Sequence, residues 1–343
     1  MEVALNRAQS VYPIAEPADV GEARRGATAL AGAMGFGETD RGRVALVVTE
    51  LGTNIVKFAG RGEIVVGEAA AAPNVLEVLA LDRGPGMADV ERCRQDGYSS
   101  AGSPGTGLGA VQRMATGFEA YSGAGVGSAL LARLDASGEA TPRAGSHVAL
   151  GAVCLAMPGE SVCGDQWDWV EQGDRALVLV ADGLGHGIFA HEAAREAARV
   201  FREHAHANGP EQLLERMHAA LRSTRGAAGA VAELTLDAAR LQYAGIGNIS
   251  ACVVTGATSR NLVSHNGTLG LEVRHVRGFE YVWSPRAVLV MHSDGLATHW
   301  DLAAYPGLLR CDPSLIAGVL YRDHARRRDD VTVVVLVQTE RRS

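Results

Sequence analysis

The chain has 343 residues, of which 47% are apolar and 21% charged, and a formal net charge of -7. That length and apolar content suffice for two ordinary domains of about 100–200 residues each. The acidic balance leaves no basic face for nucleic-acid phosphates or an anionic membrane, so small molecules and proteins are the expected partners, and the sequence allows a homodimer.

The opening residues, MEVALNRAQS, lack a basic stretch followed by an apolar core, and no run of about 18 apolar residues occurs further on, so a cytoplasmic protein is expected. Helical spacing of apolar residues predicts helices near Ala18–Met34 and Asp40–Ala59. Short apolar runs predict strands at Glu63–Val66, Val75–Leu81, Phe118–Ser122 and Ser128–Leu134. Two helices beside a mainly antiparallel sheet make an α/β sandwich. On the second helix, Val44, Val47, Val48, Leu51, Ile55 and Phe58 form one apolar stripe, bordered by a polar line of Glu50, Asn54 and Lys57. Asn54 offers an amide oxygen to Mg²⁺, Lys57 a point charge to phosphate, and Glu50 a base for a hydroxyl. A solvated helix edge carries the same kind of polar set.

The strand at Val75–Leu81 ends on Asp82 and turns through Arg83-Gly84-Pro85-Gly86. Such an aspartate can accept the exocyclic amine of adenine, and Gly84 and Gly86 let the backbone pass close to base and ribose. A plain Asx turn uses the same residues. Gly105-Thr106-Gly107-Leu108-Gly109 then precedes a helix expected over Ala110–Thr116, where backbone N–H groups can cradle phosphates. The run follows a loop instead of a strand, which argues against a Rossmann fingerprint, and no Gly-Lys pair exists for a Walker loop.

Apolar periodicity stops over 135–146, a Pro- and Gly-containing stretch that reads as a linker between domains at 1–134 and 147–343. Beyond it, β-type runs at Val148–Leu155, Ala176–Ala181, Val231–Leu236, Ala287–Met291 and Val331–Val337 flank helical stretches at His186–His206 and Pro210–Arg222, an α+β pattern. Aspartates stand at strand ends or loops: Asp165, Asp182, Asp294 and the Asp329-Asp330 pair. Carboxylates collected at one sheet end suit hard cations, and two such ions about 3.5–4 Å apart can activate water against a phosphoester. Any single Asp-Gly also makes an ordinary turn. The residue two after Asp182 is Leu184, so a haloacid-dehalogenase acid pair is missing.

The ordered trio in the first half closely resembles the GHKL (Bergerat-fold) ATPases. With the run Gln95-Asp96-Gly97-Tyr98-Ser99, it looks like the RsbT-type switch serine kinases of bacterial stress signalling. The resemblance covers roughly Met1–Leu134 and implies ATP with Mg²⁺ on Asn54, Glu50 as base, Lys57 on phosphate and Asp82 on adenine. Related domains also act as ATP-gated binding modules, which is the alternative to a kinase.

The second half, with Gly164-Asp165, Ala181-Asp182-Gly183-Leu-Gly-His-Gly, Ser293-Asp294-Gly295 and Asp329-Asp-Val-Thr, resembles the PPM metal-dependent protein phosphatases of the SpoIIE/RsbX branch. That resemblance implies a β-sandwich flanked by helices. It further implies two Mn²⁺ or Mg²⁺ ions, with Asp182 bridging, the Gly183 carbonyl assisting, and Asp165, Asp294 and Asp329 completing the set. Asp330 stands where many relatives have Asn, and is a supporting candidate. The implied function is addition of phosphate to serine or threonine by one half and its removal by the other, with STAS-domain regulators as substrates.

Several remaining residues have plainer readings. His186 is expected to position other groups, and Cys163 to pack. Trp167, Asp168 and Trp169 are either a substrate rim or packing. His204, His206, His292 and Arg326–Arg328 are expected on solvated faces or at helix ends. The odd set Cys93, Cys154, Cys163, Cys252 and Cys311 forms no C-x-x-C pair and suits reduced thiols. Lys57 is the one lysine beside thirty-one arginines, a bias attributed to genome composition.

Overall fold

The computed structural model describes residues 9–70, 72–87, 89, 107–136 and 146–339. They fall into two compact units. The first comprises Gln9–Ala144 together with Arg310–Arg322, and the second includes Gly145–Leu309 and Asp323–Ser343.

In the first unit, β1 (Ser10–Ile14), β2 (Gly62–Glu68), β3 (Val75–Asp82), β4 (Gly117–Gly123) and β5 (Gly127–Asp135) form an antiparallel sheet in the order β1-β2-β3-β5-β4. Three helices, α1 (Pro17–Ala33), α2 (Glu38–Asn54) and α3 (Gly107–Met114), share one core with it. α1 begins where it does because Pro17 suits the first helical turn and the Asp19 carboxylate accepts the backbone N–H groups of Ala15 and Glu16. Val44, Val47, Val48 and Leu51 of α2 are fully buried, each contributing about 1.5–3 kcal/mol by leaving water. They meet Ile64, Val66, Leu76, Val78 and Ala80.

The expected apolar stripe on α2 does not run to its end. Residues Ile55–Ala59 form a turn of π-helix, closed by the Gly60 N–H on the Ile55 carbonyl at 2.9 Å. The wider turn rotates the following side chains out of the helical phase, so Ile55 stays buried while Phe58 is 42% exposed. β1, which the apolar pattern did not indicate, is a short edge strand that tolerates Pro13.

The second unit holds two five-stranded antiparallel sheets. One has β7 (Asp165–Gln172), β8 (Arg175–Gly183), β9 (Ala227–Thr235), β10 (Arg240–Ile246) and β13 (Phe279–Val282), in the order β13-β10-β9-β8-β7. The other has β6 (Val148–Leu155), β11 (Ser250–Thr255), β12 (Thr258–Asn261), β14 (Val288–His292) and β15 (Val331–Gln338), in the order β12-β11-β14-β15-β6. Two helices, α4 (Ile188–His204) and α5 (Pro210–Ala220), pack Ala193, Ala197, Phe201, Leu213 and Met217 on Leu177, Leu179 and Ala181 of β8. The unit is thus a β-sandwich flanked by helices. No helix among the described residues is long and apolar enough to cross a membrane.

A last helix, α6 (Pro313–His324), is buried at every residue from Pro313 to Arg322, and that stretch belongs to the first unit, although the linker at 135–146 had put it with the second. The reason lies in β3, which is apolar on both faces. Its Leu76, Val78 and Ala80 enter the helical core, whereas a Cβ on Gly318 would lie 3.2 Å from Leu81 and 3.6 Å from Leu79. Glu77, also on that second face, is 2% exposed. Arg133 of β5 donates to Glu77 at 2.9 Å and to both Asp312 oxygens at 2.6 and 2.8 Å, while Ser314 donates to Glu77 at 3.0 Å. Burial pushes the Glu77 carboxyl up, and the Arg133 charge opposes it.

Removing one member of a buried charge pair leaves the other uncompensated, at a cost of about 3–5 kcal/mol. Arg133→Met should therefore lower the unfolding free energy of the first unit by that amount in urea titration, and adding Glu77→Leu should restore most of it. A single replacement that leaves the urea midpoint unmoved would contradict the network's importance.

Candidate functional site

The polar line of α2 faces the start of α3. A Cβ on Gly107 would lie 3.2 Å from a Glu50 carboxylate oxygen and 3.7 Å from the Asn54 amide, so Glu50, Asn54 and Gly107 form one cluster. α3 begins at Gly107, earlier than the expected Ala110, which places Leu108 and Gly109 inside the helix, buried. Leu108 is thereby a core residue. Gly105 and Thr106, like Gln95–Ser99 and Cys93, lie outside the described residues. Lys57 sits exposed on the π-turn, one helical turn past Asn54, with its ammonium free of the core.

Asp82 closes β3, and its carboxylate accepts the Gly84 N–H at 2.8 Å, which is the Asx-type bond. Burial pushes its carboxyl up, against the pull of that N–H and of the Arg322 guanidinium. At both glycines of the turn an added Cβ would meet the protein itself. A Cβ on Gly84 would lie 2.7 Å from Ala59, and one on Gly86, whose φ is +72°, 2.0 Å from the Gly123 carbonyl oxygen. The turn is also clamped to the β4–β5 hairpin, since Met87 donates to Ser122 and Gly125 to Pro85, each at 2.8 Å. Asp82 thus projects from a rigid ledge.

In the second unit, the aspartates gather at one end of the sandwich. Asp165 and Asp182 are direct cross-strand partners on β7 and β8, Asp294 follows β14, and Asp329 and Asp330 precede β15. Ser293, fully buried, ties the two sheets together there. Its hydroxyl donates to Asp165 at 2.6 Å and accepts the Thr332 N–H at 2.9 Å. Asn248 donates to Asp294 at 2.7 Å from a turn in which Gly247 has φ +92°. Asp330 accepts the Met157 N–H at 2.8 Å, and its second oxygen, buried against Gly164, has no well-formed hydrogen bond among the described residues. Gly183 is required sterically, because a Cβ would lie 2.0 Å from the Ala190 carbonyl oxygen.

The electrostatics of this cluster are those of anions crowded together. Burial, then Asp165, Asp294, Asp329 and Asp330, push the Asp182 carboxyl up to about 9. Burial and Asp330 push Asp165 to about 7, with Ser293 opposing. Burial and then Asp294 push the Asp329 carboxyl up, opposed by the Asp330 N–H and by His186 and Arg326. Among the described residues no three of these side chains converge closely enough to chelate an ion as they stand. The donor set itself, all hard oxygens with like charges held together, fits divalent Mg²⁺ or Mn²⁺.

Other expectations resolve one by one. His186 is exposed and pairs with Glu160 at 2.7 Å, a positioning contact. Cys163 packs against Cys154 at 3.7 Å, and its thiol is pushed well up, first by Cys154 and then by burial. Cys154, Cys163, Cys252 and Cys311 are not joined in disulfides. Trp167, Asp168 and Trp169 are buried, and Arg202 binds Asp168 at 2.9 Å, so packing wins over a substrate rim. His292, expected on a solvated face, is 2% exposed, with Ser293 and Trp300 as hydrogen-bond partners. Ser293 and Asn248 escaped the sequence reading. A serine preceding Asp-Gly and an Asn after Gly were the available signals.

The chain matches the model of the histidine kinase-like ATPase domain over residues 14–133 and that of stage II sporulation protein E over residues 172–338. It is 34% identical over 125 residues to the serine/threonine-protein kinase RsbT of Bacillus subtilis, covering 36% of this chain and 94% of that protein. It is 24% identical over 144 residues to the phosphoserine phosphatase RsbX of the same organism, covering 41% of this chain and 71% of that protein. A structure of RsbX in complex with magnesium shares the fold, with a TM-score of 0.50 and 20% identity over 57% of this chain and 96% of that one.

Charge crowding at Asp182 sets an expected outcome. Asp182→Asn should raise the melting temperature of the EDTA-treated protein by about 2–4 °C, the shift for roughly 1 kcal/mol in a unit of this size. The same change should erase the stabilisation that Mn²⁺ gives the wild type, as calorimetry would show. An unchanged Mn²⁺ response would remove Asp182 from the ligand set.

Proposed function

We propose, for a chain that belongs to the RsbT-like family of histidine kinase-like ATPases in its first part and carries a SpoIIE-type phosphatase domain in its second, a bifunctional role in partner switching. The first domain, 1–134, phosphorylates serine or threonine on a protein, and the domain at 147–343 removes that phosphate. STAS-domain regulators of a bacterial stress pathway, in the cytoplasm, are the substrates we infer. The observation that carries the reading is the pairing of two sites of opposite character: Glu50 and Asn54 against Gly107, and Asp182 amid like charges.

In the kinase step, Asn54 would hold Mg²⁺ through its amide oxygen, Lys57 would reach the phosphates, and Asp82 would accept the adenine amine. Glu50 then takes the proton of the acceptor hydroxyl as the phosphoryl group leaves ATP. The exposed ammonium of Lys57 is free to follow the transferring charge.

In the phosphatase step, Asp165, Asp182, Asp294 and Asp329, assisted by the Gly183 carbonyl, would hold two Mn²⁺ or Mg²⁺ ions. When bound, these ions supply positive charge to the phosphoryl oxygens and acidify the attacking water. Ser293 fixes Asp165 and Asn248 fixes Asp294, so two ligands of different sheets keep their orientation. Asp330 holds Met157 and the Gly164 turn in place from behind.

Hydrolysis of p-nitrophenyl phosphate should require Mn²⁺, stop with EDTA and fall to background in Asp182→Ala. In that same variant, labelled phosphate from ATP should pass to a STAS-domain partner, and adding Glu50→Gln should slow the transfer by about 10²–10⁴-fold. No transfer to any partner would leave the first domain as an ATP-gated binding switch.

A further inference from the structure

The second face of β3 is covered by a segment, 310–322, that in sequence lies between Asp294 and Asp329. This cover is specific. Asp312 accepts the Arg133 fork, its N–H donates to Glu119 at 3.1 Å, and Ser314 reaches Glu77. At the far end of the segment, Arg322 is 5% exposed and its guanidinium donates to the carbonyls of Asp82 at 3.0 Å and Ser128 at 3.3 Å. Asp82 and Ser128 are cross-strand partners on β3 and β5. Arg83 returns the contact by donating to the Arg322 carbonyl. One planar cation therefore pins the strand pair at the point where Asp82 leaves the sheet.

A guanidinium suits this place because its donors diverge in a fixed plane and it stays charged when buried. Its charge also favours the ionised form of Asp82, the form that accepts two N–H groups.

We propose that Arg322 is a positioning residue for the adenine-reading Asp82, and that through the segment carrying it nucleotide binding is linked to metal binding at Asp294 and Asp329. The inference rests on the reading of Asp82 as the adenine contact. Linkage between two bound states is reciprocal: whatever nucleotide does to the seating of 310–322 reaches the loops at either end of that segment, and metal on those loops acts back on Asp82.

The test uses the full chain with Arg322→Met and Arg322→Lys, titrated with AMP-PNP and GMP-PNP. Mn²⁺ binding that Asp182→Ala removes is followed by electron paramagnetic resonance, with and without AMP-PNP. Arg322→Met should weaken AMP-PNP about tenfold and GMP-PNP little, eroding the preference for adenine, while Arg322→Lys recovers part of it. In the wild type AMP-PNP should change the Mn²⁺ affinity about fivefold or more, and Arg322→Met should abolish that change. A variant that melts like the wild type and keeps its adenine preference overturns the positioning role. Should Arg322→Met fail to fold, an undiminished preference in Arg322→Lys does the same. Mn²⁺ affinity indifferent to AMP-PNP in the wild type overturns the link. A wild type that binds neither nucleotide removes the adenine reading itself, and the proposal with it.

Discussion

The first unit depends on covering β3 from both sides. A strand whose two faces are apolar cannot leave either in water, and at about 25 cal/mol per Å² of apolar surface the second face is too costly to expose. The helices α1 and α2 take one face. The other needs α6, and the buried Glu77 decides how α6 sits. A carboxylate in that environment demands a partner, which Arg133 supplies, and the spare donors of Arg133 demand Asp312 in turn. Such buried networks add little net stability, since desolvation consumes much of the Coulomb gain. What this one supplies is register: a slide of 310–322 along β3 would leave Glu77 and Arg133 mismatched. Asp82, at the end of the same strand, inherits that fixed position.

Much of this was legible in the sequence, and the failures share a cause. Periodicity reports that a residue is buried, not what buries it. The run Val75–Leu81 announced a strand, yet nothing in it pointed to a second cover from a segment more than two hundred residues away. Phe58 fitted the helical stripe by count, but the count assumed an α-helix, and the π-turn at Ile55–Ala59 changed the phase. His292 read as polar and therefore solvated, whereas its two ring nitrogens find Ser293 and Trp300 inside. The glycines Gly84 and Gly86 were singled out for letting the backbone approach a nucleotide, and in the structure a Cβ at either would strike the protein itself, at Ala59 and at the Gly123 carbonyl.

The carboxylates were easier to see because each stands where a buried strand meets a turn, a position with a sequence signature of its own. Their supports were not. Ser293 looks like any small residue before Asp-Gly, and only the approach of β7 to the end of β14 makes its hydroxyl the tie between two sheets. Second contacts of this kind depend on the packing of distant strands, which no local pattern encodes, and they decide whether a ligand carboxylate points where an ion needs it.

The arginine bias gives the single lysine its physical meaning. Arg133, Arg175, Arg202 and Arg322 each place a planar fork against carboxylates or carbonyls that are largely buried. A lysine in those places would satisfy fewer acceptors and carry a more strongly hydrated charge. Lys57 stands in the opposite situation, exposed on a turn that has already left helical phase. A compact charge on a flexible stem can follow a phosphate as it moves, whereas a fork works best on acceptors that stay still. A bias in genome composition makes arginine common without setting where the exception falls, and it falls at position 57, one turn past Asn54 and on the same edge as Glu50.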